Sequence, residues 1–476
     1  MKPQKNTTIR ITRALLAISL FAAFATMVSA TDYTWTTTGT TGHDWTGANA
    51  KWTPAGAPSE TTDNAAFSNL STSTTVNLNT NVSINNLSVA GTGGTTLTLR
   101  AANDTRTLNI NGTLSKSANT NHVVFISDGA STLSVTAGNL SLNTGTYRFG
   151  GTTSSATNTT ALSSLAIGAV TMNTNSGSSA IDIDLNIASD YRLGTVTFSG
   201  GGTNVRTINL INNTTAAQTR TATINGLTQT TGTAAVITGS KAAVATTGTH
   251  AATLKIDTAA DTTFTATTQL TDGIGGTLAL LKTGAGTQKL TGTLSHTGGT
   301  TVEAGTLAVS GTLAPSGDLT VLADATFAAA NALTVHDVTL ASSAILGFDL
   351  DAATFPTLTI GGDLLLKNAT GPATFTIDFG NTGVFDQTYA ALLSIAGTGV
   401  TNDFAGATLS YKNFGASKQS GTLSFDQLTN GFSIAAAAVP EPATCAAWLG
   451  ILALAACLTL RKRPARQNDL PRLNPI

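Results

Sequence analysis

The sequence predicts an all-β solenoid, and three observations carry that reading. Apolar–polar–apolar triplets recur along the chain: Val76-Asn77-Leu78, Val82-Ser83-Ile84, Leu87-Ser88-Val89, Leu97-Thr98-Leu99, Leu108-Asn109-Ile110, Leu133-Ser134-Val135, Leu140-Ser141-Leu142 and Tyr147-Arg148-Phe149. Each is a period-two strand with one buried face. The stretches between them are rich in Gly, Asn, Ser and Thr, residues that turn a chain or accept positive φ. No stretch between the two termini shows a helical period. Strands so short and evenly spread over some 400 of 476 residues suit stacked coils better than one compact sandwich.

The elements follow in chain order. Residues 1–30 read as a secretory signal peptide: Lys2, Lys5, Arg10 and Arg13 are a basic start, Ala14 to Phe24 is a short apolar run, and Val28-Ser29-Ala30 is a small-residue cleavage site, so cleavage is expected after Ala30. Residues 31–70 read as a cap. An open solenoid end exposes core and strand edges, and Trp35, Trp45 and Trp52, with Pro58, Asp63 and Phe67 nearby, supply aromatic bulk to cover it. The alternative for these three tryptophans is a platform that stacks on sugar rings.

Residues 71–433 read as the solenoid body. One repeat is legible in detail, from Leu278 to Leu313. Lys282-Thr283-Gly284-Ala285-Gly286-Thr287 opens a turn, Gly298-Gly299-Thr300-Thr301-Val302 starts a strand, and Ala304 to Val309 completes it. This segment resembles the autotransporter-associated β-strand repeat, which implies a parallel β-helix. The body is accordingly expected to be one continuous right-handed parallel β-helix, with the rhythm persisting at Leu319-Thr320-Val321, Leu333-Thr334-Val335 and Leu358-Thr359-Ile360.

Residues 434–442 read as a linker ending in Pro440-Glu441-Pro442, where two prolines hold the backbone extended and out of any helix or sheet. Residues 443–460 are uncharged and as a helix just cover a hydrocarbon core of about 30 Å. Arg461, Lys462 and Arg463 open a basic tail, 461–476, and positive charge stays on the cytoplasmic side, so the body faces outward. The order of Pro440-Glu441-Pro442, apolar helix and Arg461-Lys462-Arg463 resembles the PEP-CTERM sorting signal of Gram-negative bacteria. That resemblance implies processing by a membrane-embedded exosortase and an association with exopolysaccharide.

The charge balance narrows the partners. Removing both signals leaves 15 Lys and Arg against 23 Asp and Glu, a net charge of −8. Phosphate binding needs clustered cations, so nucleic acid is not expected as a partner. Both cysteines, Cys445 and Cys457, lie in the apolar span, about 18 Å apart along a helix and beyond disulfide reach. The exported body must therefore hold together by packing and backbone hydrogen bonds alone.

Candidate chemistry is sparse. His43, His122, His250, His296 and His336 are scattered singly, and no metal or cofactor site and no catalytic residue is expected from them. Asp182/Asp184 and Asp349/Asp351 are spaced to share one side of a strand about 7 Å apart, close enough to share a cation or act as acid and base; as turn-formers or solvated acids they need do neither. Three function classes follow: a non-enzymatic surface or matrix protein, which is favoured; a carbohydrate-binding adhesin using the Trp cap; and a polysaccharide lyase or hydrolase. The last needs carboxylates and basic side chains in one groove, and no such cluster is visible along the chain.

Overall fold

The computed structural model describes residues 29–348 apart from short internal stretches, then residues 356–367 and separate strands between 374 and 437. The described chain is all β, and its ladders are parallel except at the two ends. A first face is a 17-stranded sheet, a second an 11-stranded sheet continued by three further strands, and a third a seven-stranded sheet that begins at Thr263–Ala266. Successive strands along the sequence sit on successive faces, which is the winding of a β-helix. Among the described residues no helix is long and apolar enough to cross a membrane; the segment 443–460 lies outside them.

The period-two triplets do what the sequence expects. On the second face Leu97, Val123, Tyr147, Ile183, Ile208, Ile237, Leu270, Leu294 and Leu313 stand opposite one another rung by rung. All but Leu313 are buried, so one inward column runs through nine rungs. Beside it the rings of Phe125 and Phe149 stack with centroids 4.9 Å apart and planes 6° from parallel. Stacking like on like lets each rung present the same shape to the next.

In the early coils single long strands turn a corner of the first face. Thr105–Lys116, Thr132–Leu142, Ser164–Asn173 and Tyr191–Ser199 bend at Gly112, Gly138, Gly168 and Gly194. A Cβ on Gly168 would lie 2.4 Å from the Gly138 carbonyl oxygen, and one on Gly194 only 1.6 Å from that of Gly168. The corner is a glycine column because each backbone passes directly over the one below.

The repeat at 278–313 forms the most regular coils. Thr287 stands opposite Thr306 and Thr293 opposite Thr312, so one turn takes 19 residues. Here the sequence reading needs one correction. The stretch from Gly298 to Val309 is not one strand: Thr300–Val302 lies on the first face and Thr306–Val309 on the third. The chain turns between them through Gly305, at φ 65°, where a Cβ would meet the Gly284 carbonyl oxygen at 2.4 Å.

The third face has a seam. Gly226–Gln229 pairs with Tyr191–Ser199 below it, but Thr263–Ala266 pairs only with Thr287–Leu290 above. Gln288 bridges the gap from inside the core. Its Oε1 accepts from the Leu227 N–H at 2.9 Å and its Nε2 donates to the Leu227 carbonyl at 3.1 Å, while its neighbours in the column are Phe264 and Leu307. Gln288→Leu keeps the volume but orphans both backbone groups. It should cost about 2–4 kcal/mol, read as faster amide hydrogen exchange at residues 226–229 than in the parent.

Antiparallel pairing appears at both ends of the described chain. Asp32–Trp35 pairs parallel with Asn64–Leu70 and antiparallel with Trp52–Thr53. At the far end Ser420–Asp426 and Gly431–Ala437 form an antiparallel hairpin that also takes Thr388–Tyr389. The first arrangement occupies a strand edge that would otherwise invite a foreign strand; the second is a separate three-stranded sheet.

Candidate functional site

Ala30, the expected cleavage residue, is exposed two positions ahead of the first strand, Asp32–Trp35. The sorting-motif residues Pro440, Glu441, Pro442, Arg461, Lys462 and Arg463 lie outside the described residues, as do Asp349 and Asp351. The three tryptophans lie inside: Trp35, Trp45 and Trp52 are 4%, 0% and 5% exposed. Trp52 meets Trp35 and Trp45 edge to face, each at 4.9 Å, and Phe67 at 5.1 Å. The Trp45 Nε1 donates to the Pro58 carbonyl and the Trp52 Nε1 to that of Trp45, both at 3.0 Å. Asp63 accepts from the Ser59 and Glu60 N–H groups beneath them. The three rings are buried and turned on one another rather than laid out as an exposed platform.

The outer side of the second face holds an arrangement that sequence reading missed. By register Val124, Arg148, Asp184, Asn209 and Thr238 form one column, alternating with inward Tyr147, Phe149, Ile183 and Leu185. Polar side chains on the outward side of a strand ordinarily meet water, yet this column is buried, Asp184 wholly so. The Asp184 carboxylate receives the Arg148 Nε at 3.2 Å, the Asn209 Nδ2 at 2.7 Å and the Lys241 Nζ at 2.9 Å to both oxygens. Desolvation is tolerable there because the charge is paired and its lone pairs are used.

Asp182, the other half of the expected acid pair, sits at the margin of this cluster with its carboxyl 4.0 Å from Lys241. Burial raises its pKa, against the pull of Lys241. His122 lies in the same column as Asp182 two rungs away. Burial pushes it down to about 4, with Arg148 and Lys116 adding repulsion. The two aspartates thus face one side as spaced, but their environments separate them: Asp184 is held by three donors, and Asp182 reaches the open margin.

The column containing Asp182 runs on into a cleft. Thr207, Val236 and Gln269 follow it rung by rung, and a hollow of about 430 Å³ opens over Val205, Val236, Gln269, Thr293 and Thr312. Among the described residues no ionisable side chain lines it; it offers hydroxyls, one amide and small apolar surface.

Three other histidines are structural in their contacts. His250 is buried, its Nδ1 accepting from the Gln218 N–H at 3.2 Å and its Nε2 donating to the Asn213 carbonyl at 2.9 Å, and burial lowers its pKa. His296 is buried against the Thr300 hydroxyl at 2.9 Å and held down to about 4 by burial. His43 lies edge-on to Trp35 at 5.6 Å. His336 differs: it is exposed, and its Nδ1 is 3.0 Å from Asp318 Oδ1 and 3.4 Å from Asp337 Oδ1.

Two lysines are buried where the sequence suggests solvated side chains. The Lys116 Nζ donates to the Thr144 carbonyl at 2.8 Å, and the Lys282 Nζ to the carbonyls of Thr283, Gly284 and Ala304. Burial lowers each to about 8. Lys282 pins the tight turn that opens the regular repeat, gathering carbonyls from the two stacked turns onto one ammonium.

That repeat decides the comparison with known proteins. Residues 280–309 match the passenger-associated transport repeat. The match covers the strands that carry the 19-residue turn, Lys282 and Gln288 included, and it fits the parallel coils seen there. No curated protein and no solved structure matches the chain. A β-helix bearing a passenger-type repeat is the form of an exported surface or secreted protein.

Proposed function

We propose that the chain is an exported, non-enzymatic β-helix of the cell surface or extracellular matrix, delivered by a C-terminal PEP-CTERM signal. The passenger-type repeat within continuous parallel coils carries the reading. Residues 1–30 take the protein across the inner membrane, 443–460 hold the precursor there, and Pro440-Glu441-Pro442 presents an extended backbone to an exosortase-type enzyme on the outer side. Exopolysaccharide is the expected surrounding of the released body. The buried state of Asp184 supports a structural rather than catalytic part for the charged cluster, because a carboxylate with its lone pairs committed to three donors is poorly placed to take a proton from a substrate.

The test is the fate of the C-terminus. In the native host, Pro440→Ala/Pro442→Ala removes the two residues that keep the backbone out of a helix, so the apolar helix extends back over the motif and hides that backbone without weakening the span. The variant should accumulate full-length in the inner membrane while the parent is found shortened outside the cell. If mass spectrometry finds Arg461 to Ile476 still on the mature parent, the segment is a plain anchor and the sorting reading fails. A pull-down of the released protein with exopolysaccharide, run beside lyase and hydrolase assays, tests the non-enzymatic assignment; glycan cleavage would end it.

A further inference from the structure

We propose that Asp318, His336 and Asp337 form a binding site for a borderline divalent metal ion of the Zn²⁺ class, clamping two successive coils. The three residues occupy one corner of the solenoid between the second and first faces, with Asp318 on one coil and His336 and Asp337 on the next. One ligand atom from each lies within 4.8 Å of the others. The Nδ1 of His336 stands 3.0 Å and 3.4 Å from the two carboxylate oxygens, close to the separations that bonds of about 2.0–2.2 Å produce around one ion.

The positions are fixed by the ladder rather than by flexible loops. The Leu319 N–H donates to the Asp337 carbonyl at 2.8 Å, the His336 N–H to the Gly317 carbonyl at 3.0 Å and the Val338 N–H to the Asp363 carbonyl at 2.9 Å. Gly362 leaves the space the Asp337 carboxylate needs, since a Cβ there would lie 1.9 Å from Asp337 Oδ1. Among the described residues no lysine or arginine pairs with Asp318 or Asp337, so two carboxylates face each other across one imidazole.

The donor set selects the ion. An imidazole nitrogen with two carboxylates suits Zn²⁺, Co²⁺, Ni²⁺ or Cu²⁺, whereas Ca²⁺ and Mg²⁺ prefer oxygen alone. All three groups are substantially exposed, with side chains 64%, 57% and 42% accessible for Asp318, His336 and Asp337, so water completes the coordination. The Nδ1 proton that now faces Asp318 moves to Nε2 when Nδ1 takes the metal, and a neutral ring therefore binds without net proton release. The ion bridges residues 318 and 336 in a body that has no cysteine to cross-link its coils.

The full chain, tag-free in detergent and stripped with a chelator, is titrated with Zn²⁺ at pH 7.5 against a chromogenic competitor. Zn²⁺ should bind saturably, slow amide exchange at residues 319–321 and 338–340, and resist a hundredfold excess of Ca²⁺. His336→Ala and Asp318→Asn should each weaken binding by at least about tenfold and abolish the exchange effect, while melting with the parent in chelator because both sites are exposed. Binding that survives both variants unchanged, binding that Ca²⁺ displaces, or no saturable binding would each overturn the proposal; the first would place the metal elsewhere.

Discussion

Asp184→Ala should destabilise the middle coils by about 3–5 kcal/mol, the range for removing one member of a buried charge pair. Arg148 is 7% exposed and has its Nε on the lost carboxylate, so its charge stays buried. Lys241, with its side chain 31% accessible, can turn to water and loses less. The Asn209 amide is orphaned as well. The loss should appear as faster hydrogen exchange across residues 181–185 and 206–211, with the repeat at 280–309 unaffected, because a solenoid transmits disturbance mainly to neighbouring coils. Arg148→Met on the same background should recover a good part of it, since both charges are then gone. Should Asp184→Ala exchange like the parent, the cluster contributes nothing to stability and a binding role for it becomes the better reading.

How much of this was legible depends on how far apart the partners lie in sequence. The inward triplets, from Val76-Asn77-Leu78 to Leu358-Thr359-Ile360, are buried as read because period two is a local signal. The Arg148–Asp184–Lys241 cluster is not local. Its members are 36 and 57 residues apart, and the early coils differ in length, so no fixed offset reveals that these side chains share a column. A search along the chain for a basic cluster finds none, although three coils bring one together.

The corner at Asp318 shows the intermediate case. Once the 19-residue turn is known from Thr300 opposite Leu319, Asp318 counts forward to Asp337 and falls beside His336. The signal was present, but it needs the coil length before a lone histidine acquires neighbours. Gln288 gave no signal: its position in the strand reads as outward polar or inward core equally well, and only the missing pairing between Gly226–Gln229 and Thr263–Ala266 explains a buried amide there.

The other large effect is expected at the first coil. Trp45→Ala should cost about 3–5 kcal/mol locally, the range for removing a large aromatic from a packed core. Trp45 is 0% exposed, packs edge-on against Trp52 at 4.9 Å and ties Pro58 through its Nε1. Loss of the ring leaves the Trp52 Nε1 bond to the Trp45 carbonyl in place but removes the edge-to-face packing on Trp52, and so loosens the second indole and then Phe67, which touches all three. Among the described residues Trp52–Thr53 is the one strand that occupies the outer edge of Asp32–Trp35, so the coil below has no second cover there. Fraying should therefore spread from residues 32–35 to 64–70 and fade over the next few rungs, seen as hydrogen exchange graded from the N-terminal end. Glycan retention by the released protein should stay as it was in the parent. A variant that keeps its exchange protection but loses glycan binding would mean that the indoles act on sugar after all, and the cap would have to be sought in the antiparallel strand alone.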